Sequence, residues 1–214
     1  MRKIWLISAI IVPLLGMQPG GALALDAMAP GIQLAETGTP DVTADDRILG
    51  KTDAPVTIIE YASLTCPHCA AFEKDILPKI KSEWIDTGKA KLVFRDFPLD
   101  GSALKAAIVA RCAPPERFYG FIGVLFAQQG SWGLAQDPVP GISRIAKLGG
   151  MSDDQVQACL KDDALQNKVL AGRLAAEQQY QVESTPTFFI NGKKVVGAKE
   201  EDIVAAIKSA APKA

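Results

Sequence analysis

Apolar residues recur along this chain in two rhythms. Residues 55–63, PVTIIEYAS, form a β-branched run broken by one acid, Glu60, and predict a buried strand. Beyond it, Phe72, Ile76, Leu77, Ile80 and Trp84 fall at helical spacing. A helix is therefore expected from about Cys66 to about Trp84, kinked at Pro78 and ended by Gly88. Residues 90–99, AKLVFRDFPL, predict a second strand. Strand, helix and strand joined by a short connection make a βαβ unit with parallel strands.

From residue 102 to about 180 the pattern becomes helical, rich in Ala, Leu, Gln and Lys. Breaks are expected at Pro114-Pro115, at residues 130–133, around residues 138–141 and at Gly149-Gly150. Ser152 and Gln155 have the spacing of a capping box. Two short apolar runs then flank Asn191-Gly192, a strong hairpin signal. An amphipathic helix closes the chain. The order β-α-β, helical block, β-β-α predicts an α/β layer fold interrupted by a helical insert. The expected boundaries are 48–100 and 181–214 for the two halves of the α/β domain and 101–180 for the insert. Residues 25–47, without sustained period and rich in Gly, Pro, Thr and Asp, are expected to be a flexible segment.

The first 24 residues have another layout. Arg2 and Lys3 precede a 12-residue apolar run, residues 4–15, and Ala22 and Ala24 form an A-x-A-like site. This is the plan of a secretory signal peptide cut after Ala24, and the run is short for a membrane span. Export implies a compartment in which disulfides persist. The net charge of −1 and the 7% aromatic content offer no footprint for nucleic acid. Four cysteines in a chain this long are too few for a disulfide-stapled scaffold, so the core must carry the fold.

Two of those cysteines, Cys66 and Cys69, flank Pro67 and His68, the only histidine. A structural zinc site wants four ligands, usually as two close pairs, and Cys112 and Cys159 stand far apart in sequence. A structural disulfide closing so short a loop would add little stability. Redox chemistry remains. Cys66 falls where a strand ends and a helix begins, where unsatisfied N–H groups and the macrodipole favour a thiolate. Cys66 is expected to be the attacked sulfur and Cys69 the more buried resolving one. His68 is expected to stabilise the neighbouring thiolate, making the pair easy to reduce and hence oxidising.

The segments DAPVTIIEYASLTCPHCAAFE, FRDFPLD and STPTFFINGKKVVGA together resemble the DsbA family of thioredoxin-like thiol–disulfide oxidoreductases. The resemblance covers residues 47–210, insert included. It implies a thioredoxin fold, with Cys66 as nucleophile and Cys69 as resolving cysteine. Pro67 and His68 complete the C-P-H-C motif. By the same resemblance Glu60 is a buried acid that helps move the Cys69 proton, and Glu73 a second, more peripheral acid. Pro186 is a cis-proline facing the redox pair, and Thr185 before it touches substrate and the active-site sulfur. An X–Pro bond opening a strand after a turn is also where a fixed cis bond belongs. Thr185 departs from the valine of the best-known oxidases and is commoner in isomerase and reductase relatives. Cys112 and Cys159, both in expected helices, are read as a structural disulfide, with free thiols or a second redox pair as alternatives.

The function so implied is introduction of disulfides into exported proteins in the periplasm, with no metal or organic cofactor. The partners would be reduced exported chains and a quinone-linked membrane oxidase of the DsbB type, and the protein would act as a monomer. Two rivals stand beside it: an isomerase or reductase kept reduced by a partner, and a chaperone-like binder of unfolded chains. For the latter, the aromatics Phe118, Tyr119, Phe121, Phe126 and Trp132 would either line an apolar groove or pack in the core.

Overall fold

The computed structural model describes residues 38–212. The signal-peptide expectation and most of the expected flexible segment lie outside them.

Among the described residues a five-stranded sheet has the order β1-β3-β2-β4-β5. Strand β2 (Val56–Ala62) and β3 (Ala90–Asp96) are the expected parallel pair, with Glu60 opposite Phe94. Strand β4 (Thr187–Ile190) runs antiparallel to β2 and forms a hairpin with β5 (Lys193–Val196). Asn191 and Gly192 both take positive φ in its turn, the geometry that a two-residue hairpin of natural twist requires. The Asn191 side chain also accepts from Thr57 N and donates to Pro55 O, tying the turn to the start of β2.

Strand β1 (Arg47–Gly50) is antiparallel to β3 and was not expected as a strand. The chain just before it is held by Arg95, which pairs with Asp46 at 2.7 Å and also donates to Tyr61 Oη and Asp41 O. Burial resists charge on Arg95, but the Asp46 carboxylate keeps it ionised and its pKa high; Asp46 is held below the usual carboxylate range by Arg95 despite its own burial.

Between β2 and β3 the chain is helical from Pro67 to Ile85. Helix α1 (Pro67–Ala71) passes into a π-helical turn at Phe72–Ile76, then α2 (Leu77–Ile80), then a second π-helical turn at Lys81–Ile85. Pro78 has no N–H to give the Lys74 carbonyl and its ring crowds it, and the wider turn just upstream absorbs that conflict. The kink expected at Pro78 thus takes the form of π turns.

The insert comprises α3 (Gly101–Cys112), a 3-10 turn at Pro115–Arg117, α4 (Phe118–Ala127), α5 (Gln129–Trp132), α6 (Val139–Leu148), α7 (Asp153–Leu160) and α8 (Asp163–Tyr180). Both bonds of the capping box at Ser152 are present. The breaks expected at residues 130–133 and around 138–141 appear as one interruption between Trp132 and Val139. Gly130 lies inside α5, and Gly141 lies inside α6, where a Cβ would come within 2.6 Å of the Trp132 Cβ. Gly141 therefore serves close helix packing. Helix α9 (Glu200–Ala210) ends the fold.

The sheet is covered on both faces. Ile58, Leu92 and Phe188 pack with Phe72, Ile80, Ile203 and Ile207 of the α1–α2 segment and α9. Ile59, Val93 and Phe189 meet Ala176 of α8. A third cluster joins the insert to α1 through Cys69, Phe94, Phe118, Phe121, Phe126 and Trp132. Phe118, Phe121, Phe126 and Trp132 are all buried, so they are core; Tyr119 is half-buried, with its hydroxyl accepting from Phe94 N and facing the carbonyls of Arg47 and Leu92.

Candidate active site

Cys66 is the N-cap of α1, with Pro67 at the first helical position, where its missing N–H costs nothing. Only about 6% of Cys66 is exposed, less than its expected role as the open sulfur suggested, and Cys69 is fully buried. Both are free thiols, so the structure shows the dithiol state. The Cys66 thiol is brought down to about 5 chiefly by a hydrogen bond from the Cys69 thiol, against the cost of burial. The backbone N–H groups of Cys69 and His68 also lower it. Burial pushes the Cys69 thiol far up, and its donation to Cys66 and the nearby Glu60 charge push the same way.

His68 is exposed, and what it gives Cys66 here is its backbone N–H. Pro67 is also exposed. Opposite them the Thr185–Pro186 bond is cis, and the Cys66 thiol donates to Thr185 O at 3.3 Å. Thr185 Oγ1 is buried and has no hydrogen-bond partner among the described residues. Pro186 O accepts from Gly197 N, which closes the loop onto the hairpin.

Two acids lie beneath the pair. Glu60 is 1% exposed, and Oε2 has no partner among the described residues. Burial holds its carboxyl well above the usual range, with the Glu73 and Cys66 charges adding to it. Glu73 is half-buried, and burial raises it to about 7. It projects toward α4, where its Oε1 would stand 3.3 Å from a Cβ placed on Gly123. The structure thus gathers Cys66, Cys69, Glu60, Glu73, Thr185 and Pro186 at one end of the parallel strands. Cys112 and Cys159 are bonded to each other elsewhere, in the insert.

Sequence reasoning missed the residues that hold the loop before Cys66. Thr65 Oγ1 donates to Asp100 Oδ2 at 2.7 Å, and Ser63 Oγ accepts from Leu99 N. Gln129 Nε2 donates to Leu64 O at 2.8 Å and Cys66 O at 3.2 Å. A separate cavity of about 380 Å³, lined in part by Asp46, Tyr61, Arg95, Arg111 and Lys168, includes none of the expected site residues.

A thioredoxin fold carrying a dithiol at the start of its first helix, with a cis-proline loop across from it, defines the class. The thioredoxin family pattern matches residues 42–209. A putative protein-disulfide oxidoreductase of Rickettsia bellii is 32% identical over 79% of this chain and 66% of its own length. The chain therefore spans slightly less than two thirds of that relative. A probable disulfide bond formation protein D of Bacillus cereus is 30% identical, covering 67% of this chain and 69% of the relative. The crystal structure of Wolbachia pipientis alpha-DsbA1 superposes with a TM-score of 0.74, at 33% identity over 78% of this chain and 92% of that one. The chain belongs to the DsbA family within the thioredoxin fold.

Proposed function

We propose that the protein is a thiol–disulfide oxidase that introduces disulfides into exported proteins. The observation that carries this reading is the asymmetry of the two sulfurs: Cys66 is held down to about 5 and Cys69 is buried and pushed far up. In the oxidised pair, a substrate thiolate attacks Cys66 Sγ and the Cys66–Cys69 bond breaks. Cys69 leaves with the electron pair and takes a proton, for which the neighbouring Glu60 is the buried source. A mixed disulfide between substrate and Cys66 remains. Cys69 is then hard to deprotonate, so its return attack is slow and the substrate's second thiolate has time to act. That thiolate attacks the substrate sulfur, and Cys66 departs as a stabilised thiolate, a good leaving group. Two substrate thiols have become a disulfide and the Cys66–Cys69 pair has been reduced. Thr185 and Pro186 offer the loop along which an extended substrate would lie.

The expected signal peptide supports a periplasmic location, and no helix among the described residues is long and apolar enough to cross a membrane. A quinone-linked membrane oxidase of the DsbB type would recharge the pair, and the protein would work as a monomer. Residues 48–100 and 181–214 would form the thioredoxin-like domain and 101–180 the insert, with Cys112–Cys159 as its structural bond. Thr185 favours a second reading, a reductase or isomerase. Equilibration of the Cys66–Cys69 pair with glutathione buffers separates the two. A potential near about −120 mV, the value characteristic of DsbA itself, supports the oxidase; one near about −270 mV, as in thioredoxin, assigns the pair to reduction.

A further inference from the structure

The insert grips the active-site loop through two polar side chains. Asp100, at the start of α3, accepts from Thr65 Oγ1 while its other oxygen caps the helix by accepting from Ala103 N. On the other side, the Gln129 amide nitrogen uses both of its hydrogens, one on Leu64 O and one on Cys66 O. Because both acceptors are carbonyls, the nitrogen must face them. Leu64 is buried, and its carbonyl has no other hydrogen bond among the described residues. The Cys66 carbonyl accepts in addition only from Ala70 N, at 3.1 Å. A single side chain from the insert thus pins the peptide units on either side of Thr65 and Cys66.

We propose that Gln129 is a positioning residue that sets the reactivity of Cys66. The thiolate depends on donors fixed in the first turn of α1, the N–H groups of His68 and Cys69 and the thiol of Cys69. The Cys66 sulfur meets them only while its own backbone keeps φ −77° and ψ 120°, and ψ is the angle that turns the carbonyl held by Gln129. Pro67, with no N–H and a fixed φ, adds no hydrogen bond of its own to the junction. Without Gln129 the carbonyl keeps only its bond from Ala70 N, so the Cys66 peptide gains freedom to rotate and the sulfur drifts out of line with its donors. The clamp also makes the insert part of the redox centre, since a shift of α5 reaches the nucleophile's main chain directly.

This inference rests on the exchange reading above, and its test does not depend on oxidase activity. Gln129→Met keeps the length and approximate volume but donates nothing, while Gln129→Glu donates only when protonated. The rate of Cys66 alkylation by iodoacetamide, followed against pH in the reduced protein, reports its thiol pKa directly. In Gln129→Met that pKa is expected to rise by about one unit, so that alkylation at pH 5 slows roughly fivefold. In Gln129→Glu the slowing should appear above the carboxyl's own titration and be relieved below it. Thermal unfolding of each variant is measured alongside. A folded Gln129→Met protein whose alkylation profile coincides with that of the parent would overturn the proposal, whatever its melting temperature. A shifted profile would uphold it even if the parent proved to be a reductase.

Discussion

The molecule carries two cysteine pairs whose settings are opposite. Cys66 caps the N-terminus of α1, where N–H groups and the positive end of the macrodipole favour a thiolate. Cys112 is the last residue of α3 and Cys159 lies in the last turn of α7, where the dipole presents its negative end. A thiolate is disfavoured there, so each sulfur is a poor leaving group and their bond resists exchange. Separation works in the same direction. Three residues part the first pair, so its bond constrains the unfolded chain little; 47 part the second. On the proposed function, one pair opens and the other stays closed. The difference lies in which helix end holds the sulfur and how much chain the bond encloses.

Removing each pair in turn separates their roles most clearly. Cys66→Ala is expected to reduce oxidation of a reduced, unfolded substrate to the uncatalysed background, since the buried Cys69 left alone has no partner with which to form the disulfide that substrate attacks. The double variant Cys112→Ala/Cys159→Ala, assayed while still folded, should retain at least about half of the parental rate. If the Cys66→Ala protein still promotes disulfide formation, the exchange reading fails. If it only suppresses aggregation of unfolded chains, a holding activity independent of the dithiol exists alongside.

The same double variant should next show its cost in stability. Loop closure over 47 residues gives about 4 kcal/mol at the entropic limit, read from the urea midpoint under oxidising conditions. A loss under about 1 kcal/mol would mean that the insert's packing already confines the unfolded chain, and the bond would need another reason. Both pairs should be followed by alkylation during the titration, because a reduced Cys112–Cys159 bond in the parent would mimic the variant.

How much of this could be read from the residues depends on how local each signal was. The hairpin at Asn191-Gly192, the helix start at Cys66 and the capping box at Ser152 are short-range chemistry, and the structure places them where the sequence suggested. Strand β1 escaped because RILG is only four residues long and is a strand solely through its pairing with β3, more than 40 residues on. Gly141 looked like a break because its role, close approach to Trp132, exists only once α5 and α6 have met. Gln129 carried no signal at all: its two acceptors are main-chain carbonyls 65 and 63 residues away, which any sequence would supply. The aromatics of α4 and α5 could have gone either way, and only the observed packing assigns them to the core. Glu60, by contrast, stood out as an acid in an apolar strand, and its burial follows from the alternation that places it on the same face as Ile58.

The smallest effect concerns the acids that lie under the exchangeable pair. Glu73 is raised from 4.5 to about 7 by burial, so the folded protein binds its proton more tightly than the unfolded chain does. Below about pH 4.5 both states are protonated and the site costs nothing. Between that pH and about 7 the unfolded chain ionises while the folded one resists, so stability falls as pH rises, and above 7 the full penalty remains. Glu73→Gln removes the titration but keeps the shape. It should therefore match the parent at pH 4 and be more stable at pH 8 by no more than about 3 kcal/mol, with the gap opening between. Urea midpoints at a series of pH values in the reduced state test this. A gap that is constant across the series would show that Glu73 contributes packing alone. A gap that opens with pH would mean that the exchange site keeps a strained acid beside Glu60 at a measurable cost to the fold, as expected of a centre arranged for proton movement.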